Sequence, residues 1–201
     1  MNNKKQLLET RTITLIGIMT AVIIVMSVVP FLGYIPLGFI DATILHVPVI
    51  IVAIVEGPVA GGILGFMFGM TSFIKAFVTP NATAFIFMNP IVSVIPRILI
   101  GVLTGYVFLA LRGNKNKAVN KLAITISAAI GSLTNSFLVL GLIYLIYAKG
   151  FLEATKAEAN VSAIKAIGAI FLTSGMGEMI ASMLIATPIC YVLLKIFKRG
   201  K

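Results

Sequence analysis

The sequence has 201 residues, of which 59% are hydrophobic and 11% charged. Its mean hydropathy is +1.10. A soluble domain carries about 25% charged residues, so the charges here are too few to cover a water-facing surface, and lipid is the natural solvent for most of it. The net charge of +10 comes from 16 Lys and Arg against 6 Asp and Glu. These basic residues stand mostly at the ends of apolar runs, which reads as membrane topology rather than as a nucleic-acid surface.

Lys4, Lys5 and Arg11 precede an apolar run from Ile13 to Val29. That run is longer than a usual signal-peptide core and no Ala-x-Ala site follows, so it is read as a retained first span, 11–30, closed by Pro30. Gly33, Pro36 and Gly38 make a loop. A short second span is expected at 41–55, with Pro48 inside it. Glu56, Gly57 and Pro58 form a tight turn, the proline suiting the first position of the next helix. The third span is 58–77, and Val78 to Pro90, with two Asn, two Thr and two Pro, reads as a loop. The fourth span is 90–112, followed by a polar basic loop from Gly113 to Lys121. The fifth is 121–148, Lys149 to Asn160 is polar with a helix-prone Ala/Glu/Lys part, and the sixth is 162–196. A spanning helix needs about 20 apolar residues. The last two spans exceed that, so they tilt or extend beyond the bilayer. The expected fold is an all-α membrane protein, a six-transmembrane-helix bundle forming one domain over 1–201.

Charge orients the bundle. With the N-terminus in the cytoplasm, the inner segments hold Lys4, Lys5, Arg11, Arg112, Lys115, Lys117, Lys121, Lys195, Lys198, Arg199 and Lys201, eleven of the sixteen basic residues. The outer segments hold Lys75, Lys149, Lys156 and Lys165. The positive-inside rule therefore places both termini in the cytoplasm of a multi-pass cell-membrane protein.

Gly57, Gly61, Gly65 and Gly69 recur every four residues along span 3. That spacing keeps them on one face, where another backbone approaches closely. Gly17 and Ala21 make a shorter pair on span 1. It either packs inside the bundle or docks a partner's helix.

A charge inside a span costs about 2.5–3.5 kcal/mol on insertion scales, so it persists only where a partner or a function compensates. Arg97 in span 4 and Glu178 in span 6 are two such residues, and Asn135 in span 5 is a strongly polar third. Arg97 shares a helix face with Gly101 and Gly105, Asn135 with Ser127 and Gly131, and Glu178 with Ser174 and Ser182. Those faces are small or polar, so all three residues are expected to face the interior. At 1.5 Å per residue, Arg97 lies about 10 Å below the outer start of its span, and the other two lie near mid-membrane. With Lys75, His46 and the 78–90 loop they define a pocket open to the outside. An ion pair that only fixes the fold is the other reading of Arg97 and Glu178. His46 reads first as a hydrogen-bonded core histidine, and Lys75 either lines the pocket or snorkels to headgroups. An Arg fork suits a carboxylate or phosphate, with Asn135, Thr134 and Asn81 supplying amide and hydroxyl contacts. The ligand is thus expected to be a small polar anion.

No G-x-x-x-x-G-K-[ST] loop, H-E-x-x-H, cysteine cluster or G-x-S-x-G elbow is present. The chain is expected to be no enzyme, to bind no metal and no cofactor, and to draw its energy from other subunits. The lone Cys190 lies in an apolar run and is read as packing. A membrane-embedded enzyme using Glu178, His46 and Arg97 is the alternative of a different class.

Two stretches carry a family resemblance. His46 to Lys75 reads H-V-P-V-I-I-V-A-I-V-E-G-P-V-A-G-G-I-L-G-F-M-F-G-M-T-S-F-I-K, and Pro96 to Gly105 reads P-R-I-L-I-G-V-L-T-G. With them, nearly the whole chain resembles the substrate-binding S components of energy-coupling factor (ECF) vitamin transporters. The resemblance implies a six-helix protein that captures a vitamin at the outer face. It also implies a transmembrane coupling subunit and two cytoplasmic ATPases as partners, with ATP used by the latter. The family docks its coupling subunit through an Ala-x-x-x-Ala motif on helix 1, matched here by Gly17 and Ala21 with the first position changed. The sequence looks most like the pantothenate-binding members, in which an Arg on helix 4 and an Asn on helix 5 contact ligand, matching Arg97 and Asn135. The absence of tryptophan weighs against flat vitamins such as biotin, thiamine or riboflavin. S components for folate, riboflavin or hydroxymethylpyrimidine remain the alternatives.

Overall fold

A computed structural model describes residues 10–29, 32–36, 41–79, 83–112, 121–154 and 162–199. Helix α1 is Thr10–Val28. Strands β1 (Tyr34–Pro36) and β2 (Asp41–Thr43) pair antiparallel, with Ile35 opposite Ala42. Then come α2 (Val47–Glu56), α3 (Pro58–Val78), two single turns, α4 (Ala84–Phe87) and α5 (Pro90–Ser93), and α6 (Ile95–Leu111). Helix α7 (Lys121–Ala154), α8 (Ala163–Ile170), a π-helical turn (Phe171–Gly175) and α9 (Met176–Arg199) complete the order. Five stretches among the described residues are long and apolar enough to cross a membrane: Thr10–Val28, Pro58–Val78, Pro90–Leu111, Lys121–Ala154 and Ala163–Ile196. The molecule is an essentially helical, multi-pass membrane protein.

Several boundaries differ from the sequence expectation for physical reasons. The span expected at 41–55 begins as strand β2, and the helix starts only at Val47. Pro48 falls in its first turn, where a missing N–H costs nothing. The span expected at 90–112 is interrupted at Val94, which caps α5 and precedes α6. Pro96 again takes a first-turn place. The span at 121–148 continues to Ala154 with a kink at Tyr147, whose φ −126°, ψ 17° is not helical. The span at 162–196 contains the π turn, where Thr173 Oγ1 donates to the carbonyls of Ala169 (2.9 Å) and Ile170 (3.4 Å). Wide turns of this kind concentrate at functional sites.

Helix α2 is the core. Its residues Val47 to Ile54 are all buried, as an all-round apolar sequence demands. It packs against α1, α3, α6, α7 and α9. Ile23, Leu64, Phe68, Ile100, Ile124 and Cys190 surround it. A smaller cluster of Ile86, Val92, Val139, Ile143, Phe151 and Ile167 joins the single turns to α7 and α8. Glu56 ends α2, where a negative charge opposes the helix dipole. Arg11 offsets it through Nε (3.1 Å) and Nη2 (2.5 Å), and Thr12 donates to the other carboxylate oxygen at 2.7 Å. The sequence reading took Glu56 only as a turn residue.

Gly61, Gly65 and Gly69 of the expected stripe line the contact of α3 with α6, while Gly57 stands before the helix at φ 102°. A Cβ on Gly65 would meet the Arg97 carbonyl group, one on Gly69 would lie 2.7 Å from Val94 Cα, and one on Gly101 would meet the Gly61 backbone. Nothing lies within 4 Å of a Cβ added at Gly17. Overpacking costs about 1–3 kcal/mol. Gly65→Leu and Gly101→Leu are therefore each expected to lower the thermal midpoint of the detergent-purified protein by roughly 3–10 °C, while Gly17→Leu leaves it unchanged. Thermal unfolding of the three variants side by side checks the contrast.

Candidate ligand site

Two helices carry polar residues four apart on facing sides. Helix α7 offers Ser132 and Ser136, and α9 offers Glu178 and Ser182, all of them buried. Four-residue spacing stacks each pair along one face. They are joined at two levels. At one level, Ser136 Oγ donates to Glu178 Oε2 at 3.2 Å. At the other, His46 Nε2 lies 3.1 Å from Ser132 Oγ and 2.8 Å from Ser182 Oγ. His46 stands just before α2 and is fully buried. The other Glu178 oxygen accepts the Thr43 N–H at 2.8 Å, which ties the end of strand β2 to α9. Strand β2 also packs on the π turn.

Arg97 reaches this cluster from the first turn of α6. Its Nη1 donates to the Val92 carbonyl at 2.9 Å. Its guanidinium carbon lies over the Phe68 ring at 5.4 Å and the Phe87 ring at 5.3 Å. Its charge acts on both Glu178 and His46, and Asn135 faces the same Glu178 carboxylate. Arg97, Asn135 and Glu178 are only 7%, 6% and 8% exposed, so the interior faces read from the sequence are the ones they occupy. Asn135 Oδ1 is buried without a hydrogen-bond partner among the described residues. A buried, orphaned amide oxygen is costly and fits a donor supplied from outside the chain. The cluster therefore brings a guanidinium, a carboxyl group and an amide oxygen into one buried region.

The other described sequence candidates have contacts of their own. Lys75 donates from Nζ to the Ser27 carbonyl at 2.5 Å, at the C-terminal end of α1, a favourable place for a cation. Thr134 is half-buried and gives its hydroxyl to Ile130 O of its own helix at 2.7 Å. Asn81 lies outside the described residues. Gly17 and Ala21 are exposed on α1, on the outside of the bundle. Glu178 and His46, paired in the enzyme alternative, bond serines of α7 and α9 instead of each other. No group of three His, Cys, Asp or Glu among the described residues is placed to hold a metal.

Sequence reasoning missed Thr43, Phe68 and Phe87. The first contributes a backbone N–H, which no side-chain pattern reveals. The other two are apolar residues in apolar runs. Ser132 was visible in principle, standing four before Ser136 and three before Asn135 on one helix face.

Residues 11–190 match the family described as "ECF transporter, substrate-specific component". The chain belongs to that family. Among curated relatives of this S component, "Pantothenate transporter PanT" of Leuconostoc mesenteroides is 31% identical over 141 residues, covering 68% of this chain and 67% of the relative. "Pantothenic acid transporter PanT" of Lactococcus lactis is 30% identical over 167 residues, covering 76% and 78%.

The cluster also carries stability. Glu178→Ala removes the acceptor of the Thr43 N–H and leaves the Ser136 hydroxyl only the Ser132 carbonyl at 3.4 Å, an expected cost of about 1–3 kcal/mol. Glu178→Gln keeps an oxygen for Thr43 and is expected to cost less. Thermal midpoints of ligand-free protein rank the two variants.

Proposed function

We propose that this S component captures pantothenate at the outer face and delivers it through a coupling subunit driven by two ATPases. The observation that carries the reading is the buried cluster of Arg97, Glu178 and Asn135. Pantothenate has a carboxylate at one end and hydroxyls and an amide along its length. Its carboxylate suits the Arg97 guanidinium, a fork that accepts a planar anion bidentately. Its hydroxyl and amide donors suit Glu178 and the Asn135 Oδ1 that has no partner of its own. The Glu178 carboxyl group suits the hydroxyl or amide end of the ligand rather than its carboxylate, so Arg97 and Glu178 together orient it. The names of both relatives support the same substrate.

This reading makes the whole chain one membrane domain of six passes, α2 counting as the short one, with both termini in the cytoplasm. The hairpin, α4, α5 and the start of α6 then face outside, and Arg112, Lys121 and Lys195 face inside. The exposed Gly17 and Ala21 serve as the docking face for the coupling subunit, and ATP is bound by the ATPases alone. The chain itself breaks no bond of its ligand.

Pantothenate is expected to raise the thermal midpoint of the purified wild-type protein. Arg97→Ala should abolish that rise without unfolding the protein. Arg97→Lys should weaken binding by at least about tenfold, because an ammonium cannot reproduce the fork. Titration calorimetry checks all three, and wild-type protein that ignores pantothenate would overturn the assignment.

Orientation is tested separately. Cys190 is fully buried, so single cysteines placed at Phe85 and Arg112 report without background. A membrane-impermeant maleimide on whole cells is expected to label Phe85→Cys and spare Arg112→Cys.

A further inference from the structure

We infer that Phe68 and Phe87 are positioning residues that make the site selective for a carboxylate over a neutral group. The inference rests on the proposed role of Arg97 and goes beyond it, to what holds and tunes that cation. Both rings offer their faces to the guanidinium carbon, at 5.4 and 5.3 Å. A π face attracts a cation through its quadrupole, and more strongly where water is excluded. Unlike a second carboxylate, it adds no negative charge to compete with an incoming anion. The rings thus hold Arg97 in place without adding a charge of their own. A neutral ligand end gains little from a cation held in this way.

The two rings differ in their support. Phe68 is 2% exposed on α3, one turn past Gly65, in the packed core. Phe87 is half-buried at the end of the single turn α4. That turn is fastened at its other side. The Phe85 ring meets Tyr147 edge-on at 5.6 Å, and Asn89 Nδ2 donates to Tyr147 Oη at 3.2 Å. Tyr147 is the kinked residue of α7. The kink therefore meets the segment that sets the Phe87 ring against Arg97. One wall of the cation belongs to the core and the other to a turn outside the long helices.

The test compares pantothenate with its alcohol analogue pantothenol, in which CH2OH replaces the carboxylate. Dissociation constants of both are measured on full-length wild type, Phe87→Leu and Phe87→Tyr. Phe87→Leu keeps apolar bulk without the π face, and Phe87→Tyr keeps the face. Phe87→Leu is expected to weaken pantothenate about tenfold, while pantothenol changes by less than about threefold. Phe87→Tyr is expected to keep the wild-type ratio. Phe68→Leu, read in the same way, should shift the ratio in the same direction. Because ratios are compared, a general loss of folded protein does not imitate the effect. Equal losses for both ligands, or no loss, with wild type still preferring pantothenate, overturn the inference and leave the functional reading standing. Wild type that binds neither ligand, or prefers the alcohol, overturns the functional reading and the inference with it.

Discussion

The close approach of α3 and α6 is the constraint on which the rest of the structure depends. In lipid, two helices gain little by hiding apolar surface from each other, so contact must come from small residues that let backbones touch. Gly61, Gly65 and Gly69 provide that contact, with Gly101 answering from α6. The contact also fixes where Arg97 begins, because Gly65 lies against its carbonyl group. Phe68, one turn along from Gly65, then stands beside the guanidinium. A packing motif and the placing of a buried cation are in this way set by one approach distance.

The polar ladder between α7 and α9 answers a second constraint. A buried carboxylate or imidazole in a membrane protein needs partners inside the protein, since lipid offers none. Glu178 takes one from the hairpin and one from α7, and His46 takes one from each helix. The bonds that make these groups tolerable also hold four separate segments around one point. At the opposite end, the Glu56 carboxylate plays a comparable part, gathering Arg11 and Thr12 of α1 onto the end of α2.

Much of this was legible in the sequence, for reasons that can be named. Long apolar runs marked the spans, because lipid imposes a length. Four-residue spacing put Arg97, Asn135 and Glu178 on small or polar faces, and those faces are the buried ones. The glycine stripe announced a helix contact but not which helix would answer it. The start of α2 was misplaced because Asp41 to Thr43 pair with a strand seven residues earlier, and cross-chain pairing leaves no helical period to read. Lys75 was grouped with the pocket by depth alone, and its described bond goes sideways to α1. Phe68 and Phe87 carried no signal, since an aromatic ring beside a cation and one beside a leucine are spelled alike.

The shortness of α2 has a consequence of its own. Its ten residues rise about 15 Å, against a hydrocarbon thickness of about 30 Å. The helix alone is therefore too short to cross it. Just before its first turn stand His46, the hairpin end and the Glu178 carboxylate that the hairpin bonds. A full-length helix there would seal the middle of the bundle with apolar side chains. Adding one turn to the start of α2 would lengthen it by about 5 Å and displace the contacts that His46 and the hairpin make there with α7 and α9.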